Sequence, residues 1–440
     1  MTSTPEAANQ NTLDSFDAAR RESALRARAQ ATQPRRPGPR LGNLHAHSFF
    51  SFNCHGWSPS HFAACAADHG MAVAGLVDFD VLDGLAEFHH AGQLLNLRTV
   101  VNLETRVFVP EFADRVINSP GEPGIAYHMA IGFAAPPSDP WAANFLRGLR
   151  SNAERRNRDL VERVNTFMDP VRLDYDADVL PLTPSGNATE RHICLAYARK
   201  AAAVCGADGL AAFWTAKLGP EAAGLDFPEG PKLINALRAR TMKKGGVGYV
   251  QPGRDSFPLM ADFNRFALQA GAIPTITWLD GTSPGEQAME ELADVAQRSG
   301  AAALNIIPDR NFTPGKPDQK LKNLQEVLAL AARRHLPVIA GTELNALGQR
   351  FVDNWEAPEL QPHATQFERG AFLLYGHTAL QRAAALGYLS PWAGGHFHRV
   401  EDKNAFYEKL GRAIAADTEV RLQGVTATLS PNQILARIAG

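Results

Sequence analysis

Cysteine is scarce in this chain. Cys54, Cys65, Cys194 and Cys205 are the only four in 440 residues. No two are spaced C-x-x-C, which excludes a zinc ribbon and a dithiol redox pair. They read as reduced thiols, and a cytoplasmic location is expected. An excess of charge is also missing. Lys plus Arg number 44 and Asp plus Glu 46, a formal net charge of -2. No global field draws the chain to nucleic acid or an anionic membrane, so any phosphate recognition must be local. No apolar run approaches the roughly 18 residues of a membrane span. The N-terminus is polar and lacks an apolar signal core, so export by that route is not expected. There is no internal repeat. Apolar content is 45% and charged content 20%, and a chain of this length can bury a substantial core.

What the sequence does have is concentrated in Leu41–Gly56, LGNLHAHSFFSFNCHG. Leu41 to Leu44 reads as the start of a strand. Residues i and i+2 of a strand share a face, so His45 and His47 aim two imidazoles at one point. Imidazole suits zinc, iron or manganese. Cys54 lies close by and has two readings, a ligand or a small semi-buried hydrophobe.

Before this stretch, residues 1–40 read as a disordered arm and linker. A short helix over Thr12–Gln30 has too sparse an apolar stripe in Leu13, Phe16 and Leu25, and the prolines of Gln33–Arg40 end it. After it, strands and helices alternate. Ser58-Pro59 starts a helix that stops at Gly70. Ala72–Asp80 is a buried strand ending in two aspartates. RTVVNLETRVFV carries Glu104 and GIAYHMAIGF carries His128 on further strands. Residues 140–255 read as an inserted helical module, residues 256–360 as the return of strand–helix alternation, and residues 361–440 as helices packing on the outside. In α/β barrels the C-terminal ends of the strands form the active site. Polar groups at the ends of apolar strands would converge there.

These residues together resemble the PHP (polymerase and histidinol phosphatase) family of metal-dependent phosphoesterases. HAHSFFS resembles its opening HxHxxxS motif, and GLVDFDVLDGLAEF its second motif. VVNLETRV resembles the stretch with a bridging glutamate, and YHMAIGF the strand with a further histidine. GAIPTITWLDG and PVIAGTELN stand where two later motifs fall. NATERHICLAYARKA and GGVGYVQPGRDSF resemble the insert of the nucleotide- and RNA-directed branch. The resemblance implies an α/β fold: a distorted seven-stranded β/α barrel over 41–139 and 256–360, with the helical insert and a helical C-terminal extension. It implies one or two divalent ions (Zn, Mn or Fe) held by His45, His47, Glu104 and Glu343, with His128 beside Glu104 for a second. Trp278, Phe79 and Asn345 stand where other ligands would be, and Asn53 holds an early ligand position with His55 near it. Trp, Phe and Asn are poor ligands for a catalytic transition metal, so no normal third site is expected.

The chemistry implied is hydrolysis of a phosphate ester of a nucleotide or other small molecule by metal-activated water. Glu104 has two oxygens with which to bridge two ions. Asp78 and Asp80 either complete the catalytic group and orient imidazoles, or cap the next helix. Arg191, His192 and Arg254 are candidates for holding the phosphate, against a reading as solvated surface charge. Trp278 either stacks on a base or walls a dry pocket. The partner expected is a small phosphorylated molecule, a nucleotide among the candidates; no membrane is expected, nor nucleic acid other than short RNA. His89 and His90 read as surface residues; His396 and His398 read either as exposed histidines of a turn or as groups folded over the mouth in place of lost ligands. The alternative function is a catalytically degenerate PHP fold that binds a ligand or partner.

Overall fold

The computed structural model describes residues 12–31, 41–311 and 319–439. The proline-rich stretch 33–40 lies outside them. Seven strands form one sheet in sequence order: β1 Ala46–His47, β2 Ala74–Phe79, β3 Thr99–Phe108, β4 Ile125–Ile131, β5 Ile273–Trp278, β6 Ala303–Ile306 and β7 Val338–Ala340. All pairings are parallel except those of β4, which runs against both β3 and β5. The two sheet ends meet. Leu44 N–H donates to the Ala340 carbonyl at 2.9 Å, Glu343 N–H to that of His45 at 2.7 Å, and His47 N–H to that of Glu343 at 2.8 Å. This is the distorted seven-stranded barrel expected from the sequence. Gly341 allows the closure, because a Cβ there would fall 2.3 Å from the His45 nitrogen.

Outward residues of the strands, among them Leu76, Leu103, Ile276, Trp278, Leu304 and Ile306, pack under the surrounding helices. Inward residues at the opposite end from the histidines, including Val77, Val100, Met129, Ile273 and Ile339, meet the helix Ala364–Ala384. That helix is buried from Gly370 to Leu380, so it plugs the barrel floor rather than packing on its outside. A Cβ on Gly370 would lie 1.8 Å from the Val338 carbonyl oxygen, which explains the glycine there.

The N-terminal stretch differs from the free arm expected. A helix spans Ala18–Gln30, capped by Asp17, and buries Leu25 with Leu13 in the main core. Arg21 binds Glu87 at 2.6 Å, so this helix is fixed to the barrel by an ion pair as well as by packing. A sparse apolar stripe was enough, because one fully buried leucine supplies about 2 kcal/mol and the ion pair fixes the register.

In the intervening segment, helices Pro140–Met168, Glu190–Leu218 and Pro231–Thr241 share an apolar cluster of their own around Tyr197, Trp214 and Leu237. The first of them straddles two cores: Ala142 and Leu149 pack with the barrel, Leu160 to Met168 with the other helices.

Candidate metal centre

At the C-terminal ends of the parallel strands, β1 and β3 bring three groups together. His45 precedes β1, His47 ends it, and Glu104 sits opposite Phe79 of β2. His45 Nε2 and His47 Nε2 each lie 3.3 Å from the same Glu104 oxygen, Oε2. All three side chains are buried. Neither Nε2 makes a hydrogen bond. Burial pushes the Glu104 carboxyl up, but positive charge on the imidazoles, when they are protonated, prevails and holds it down at about 2.

The far side of each imidazole fixes its tautomer. His47 Nδ1 lies 2.9 Å from Ser51 Oγ, and Ser51 gives its only proton to Asp78 Oδ1 at 2.6 Å. Ser51 therefore accepts from His47 Nδ1–H, which leaves a lone pair on Nε2. Asp78 is held in turn by Ser48, through Oγ at 2.7 Å and its backbone N–H at 3.0 Å. His45 Nδ1 faces Asn305 Oδ1 at 3.2 Å, so it also donates there and presents its Nε2 lone pair inward. Two lone pairs and a carboxylate, buried and aimed at one another, repel unless a cation lies among them. The donor set of two imidazoles and one carboxylate matches a zinc, iron or manganese site, with each imidazole oriented from behind as metal-bound histidines are.

The other candidates fall in different places. Glu343 is next to His45 in the closing ladder, but both its oxygens lie 3.0 Å from Arg310 Nη2 and one accepts from Gln349 at 2.8 Å. It is outside the three-residue group. Its backbone, with φ +67°, is left-handed, which turns the side chain toward Arg310. His128 is a correction. It pairs with Thr105, not Glu104, so it faces out of the barrel, where its Nε2 meets Asn264 Oδ1 at 2.6 Å and its ring meets Phe263. Trp278 is another. It points outward into the main core beside Ile306, and Thr277 takes the inward position. It neither stacks on a ligand nor walls the mouth.

Asp78 reaches the centre only through Ser51, so it is a positioning residue. Asp80, with φ +63°, accepts from Thr105 Oγ1 at 2.5 Å, away from the imidazoles. His192 is buried and caps its own helix, its Nδ1 accepting from Thr189 N–H at 3.1 Å. With Nδ1 accepting, Nε2 is the protonated nitrogen of the neutral ring. Arg191 lies over Phe52 of the loop after β1 at 5.6 Å, and Arg254 is exposed on a turn. Phe79 stacks 4.4 Å from the His47 ring and Tyr127 stands beyond it at 6.3 Å, so aromatic walls replace the missing ligands. Asn53 ties its own loop, accepting from His55 N–H at 2.8 Å and donating to the His47 carbonyl at 2.7 Å.

Sequence reasoning missed several residues. Arg106 is two positions past Glu104 on the same face, and pairs with Glu122 at 3.0 Å. It and Arg156 flank the Phe257 ring at 4.3 and 4.6 Å. Ser51 is the serine of the HxHxxxS motif, whose part behind His47 the sequence did not show. Asn305 was also missed; a polar residue inside the apolar run ALNII was the available signal for it. His89 is buried, not on the surface, and bonds the Phe133 carbonyl at 2.9 Å. His396 is exposed and bonds the Trp392 carbonyl on the floor side of the barrel, away from the mouth.

No known sequence family matches the chain, and no curated protein does. Solved structures do. An amidohydrolase from Chromobacterium violaceum, whose structure holds sulfate and no metal, is 16% identical with a TM-score of 0.50, over 74% of this chain and 96% of its own. A protein from Bifidobacterium adolescentis with the provisional description of metal-dependent phosphoesterase is 16% identical with a TM-score of 0.49, over 75% of this chain and 98% of its own. At that identity the first match speaks for the fold. No helix among the described residues is long and apolar enough to cross a membrane.

Proposed function

We propose that the chain is a metal-dependent hydrolase of the PHP phosphoesterase type, with His45, His47 and Glu104 as ligands of one divalent ion. One observation carries this reading: two buried imidazole lone pairs, fixed from behind by Ser51 and Asn305, converge on one carboxylate oxygen. The likeness in fold to an amidohydrolase supports hydrolysis in general. A bound ion of this type lowers the pKa of a water and polarises the oxygen of the bond to be cleaved. The chain's own residues do the rest. Ser51 and Asn305 hold the imidazoles in their ligating tautomers, Asp78 holds Ser51, and the Phe79 and Tyr127 rings limit water at the mouth. A phosphate ester fits the surroundings. Arg106 lies on the face of Glu104, and Arg156 and Arg191 bond only neutral oxygens of Ser256 and Asn235 among the described residues. That leaves guanidinium charge for an anionic group, for which Arg is well shaped.

A second reading, a binding protein that has lost turnover, is favoured by Phe79 against His47 and by the hold of Arg310 on Glu343. Elemental mass spectrometry on purified protein, beside a phosphatase screen, separates the two. The hydrolase reading expects about one transition-metal ion per chain, lost in His45→Ala together with hydrolysis. Metal-free protein after incubation with Zn or Mn, or hydrolysis untouched by His45→Ala, would overturn it.

A further inference from the structure

Two inward side chains beside the three-residue group have no partner. Asn305 Nδ2 and Thr277 Oγ1 are fully buried and make no hydrogen bond. They are neighbours: Thr277 of β5 pairs with Asn305 of β6 in a parallel ladder, so both point to the same face. That face is the inside of the barrel, because Trp278 and Ile306, one residue on, lie in the outer core. Asn305 has already spent its oxygen on His45 Nδ1. Only its NH2 group is left, and an amide nitrogen can only donate. An unmade buried hydrogen bond is costly, and two side by side inside the barrel, one of them on a residue that holds His45, mark a place suited to a ligand oxygen. Neither group is a useful ligand for a transition metal.

We propose that Thr277 Oγ1 and Asn305 Nδ2 together bind an oxygen of a tetrahedral oxyanion, the phosphoryl group of the substrate or its phosphate product, beside the histidine–glutamate centre. The class of ligand rests on the phosphoesterase reading above. Asn305 stands on the Nδ1 side of His45, and Phe79 lies against the other imidazole, His47. Hydrogen bonds here take over part of the charge stabilisation that further ions would supply, which works well in a buried, preorganised setting. Asn305 has two jobs in this arrangement. Its oxygen sets the His45 tautomer, and that bond turns its nitrogen toward the oxyanion.

The test uses inorganic phosphate as probe and isothermal titration calorimetry as readout, on the full chain with Zn or Mn and again after chelation. Thr277→Val keeps the shape and removes the hydroxyl. Asn305→Asp keeps the acceptor for His45 and turns the donor into a second acceptor. Thr277→Ser restores a hydroxyl. The expected result is phosphate affinity about tenfold weaker in Thr277→Val, recovered in Thr277→Ser, and lost in Asn305→Asp, with metal content by elemental analysis and thermal midpoint close to wild type in the threonine variants. Absence of phosphate binding by wild type, or equal affinity in wild type and both removal variants, overturns the proposal; the two groups then hold structural water only. Loss of the metal centre is a separate outcome. If wild type takes up no metal, the hydrolase reading falls, whereas phosphate binding to chelated protein that Thr277→Val still weakens upholds the donor pair.

Discussion

His47 is a ligand candidate because of what stands behind it. Ser51 accepts from its Nδ1 and passes its own proton to Asp78, so the chain Asp78–Ser51–His47 sets which nitrogen faces Glu104. Ser51→Ala removes that acceptor and leaves every proposed ligand in place. Metal affinity is expected to fall by about 10–100-fold, read by competition with a chromophoric chelator. Unchanged affinity would mean that the Asp78–Ser51 pair has no part in orienting the imidazole. A second residue stands apart from the centre. Asp353 is buried, and burial, then the nearby Asp309, push its carboxyl up to about 8. A carboxyl whose folded pKa is raised holds its proton in the folded chain while the unfolded chain has lost it. Stability from this group therefore falls as pH rises from about 4 to 8 and stays low above that. Asp353→Asn is expected to be more stable than wild type by a margin that grows across that window, measured by denaturant unfolding at pH 5, 7 and 9. A margin that shrinks with pH would refute the assignment.

At the scale of elements, the short helix Ala18–Gln30 shows how little apolar surface anchors a segment when it is well placed. Leu25 is fully buried against the main core, and Arg21 reaches Glu87. Leu25→Ala is expected to cost about 2–5 kcal/mol by leaving a cavity, while metal content per folded chain stays the same. A loss under about 0.5 kcal/mol, the usual range for surface sites, would mean the helix is not docked in solution. The strands explain what the sequence could show of the site. His45 and His47 were legible as a pair because i and i+2 in any strand share a face, whatever surrounds it. Glu104 was legible as one carboxylate inside a long apolar strand. His128 was not placed correctly, because its neighbours in IAYHMAI are apolar or aromatic on both faces. A strand packed on both faces carries no alternation to say which residue looks inward. The antiparallel register with β3 decides it, and register is a property of the pairing. Trp278 and Thr277 differ by the same single step.

At the scale of the whole molecule, four buried histidines on separate elements, His89, His128, His192 and His377, are held neutral. Burial lowers His89 to about 3, with the Arg382 charge adding to it, and lowers His128, His192 and His377 to about 4. Each takes up a proton on unfolding at acid pH. The unfolded chain then binds more protons, so stability rises with pH between about 4 and 6.5 and is lost as pH falls through that window. The thermal midpoint is expected to drop steeply from pH 7 to pH 4.5, and His377→Gln is expected to blunt the drop. A midpoint flat across that range would contradict it. His377 links two distant parts, bonding the Gly132 carbonyl at 3.1 Å from the helix that plugs the barrel floor. The sequence by itself determined the alternation of strands and helices, the histidine pair and the carboxylate on a neighbouring strand, because these follow from local period and residue chemistry; the class of barrel was legible only through the resemblance of its motifs to a known family. Tertiary structure decided the rest. It put Arg310 on Glu343, turned His128 and Trp278 outward, brought Thr277 and Asn305 beside the centre, and drew the helix of residues 364–384 under the barrel. Each of these depends on which surfaces meet across hundreds of residues. No local pattern records that, since a strand buried on both faces and a helix buried all round look apolar from every side.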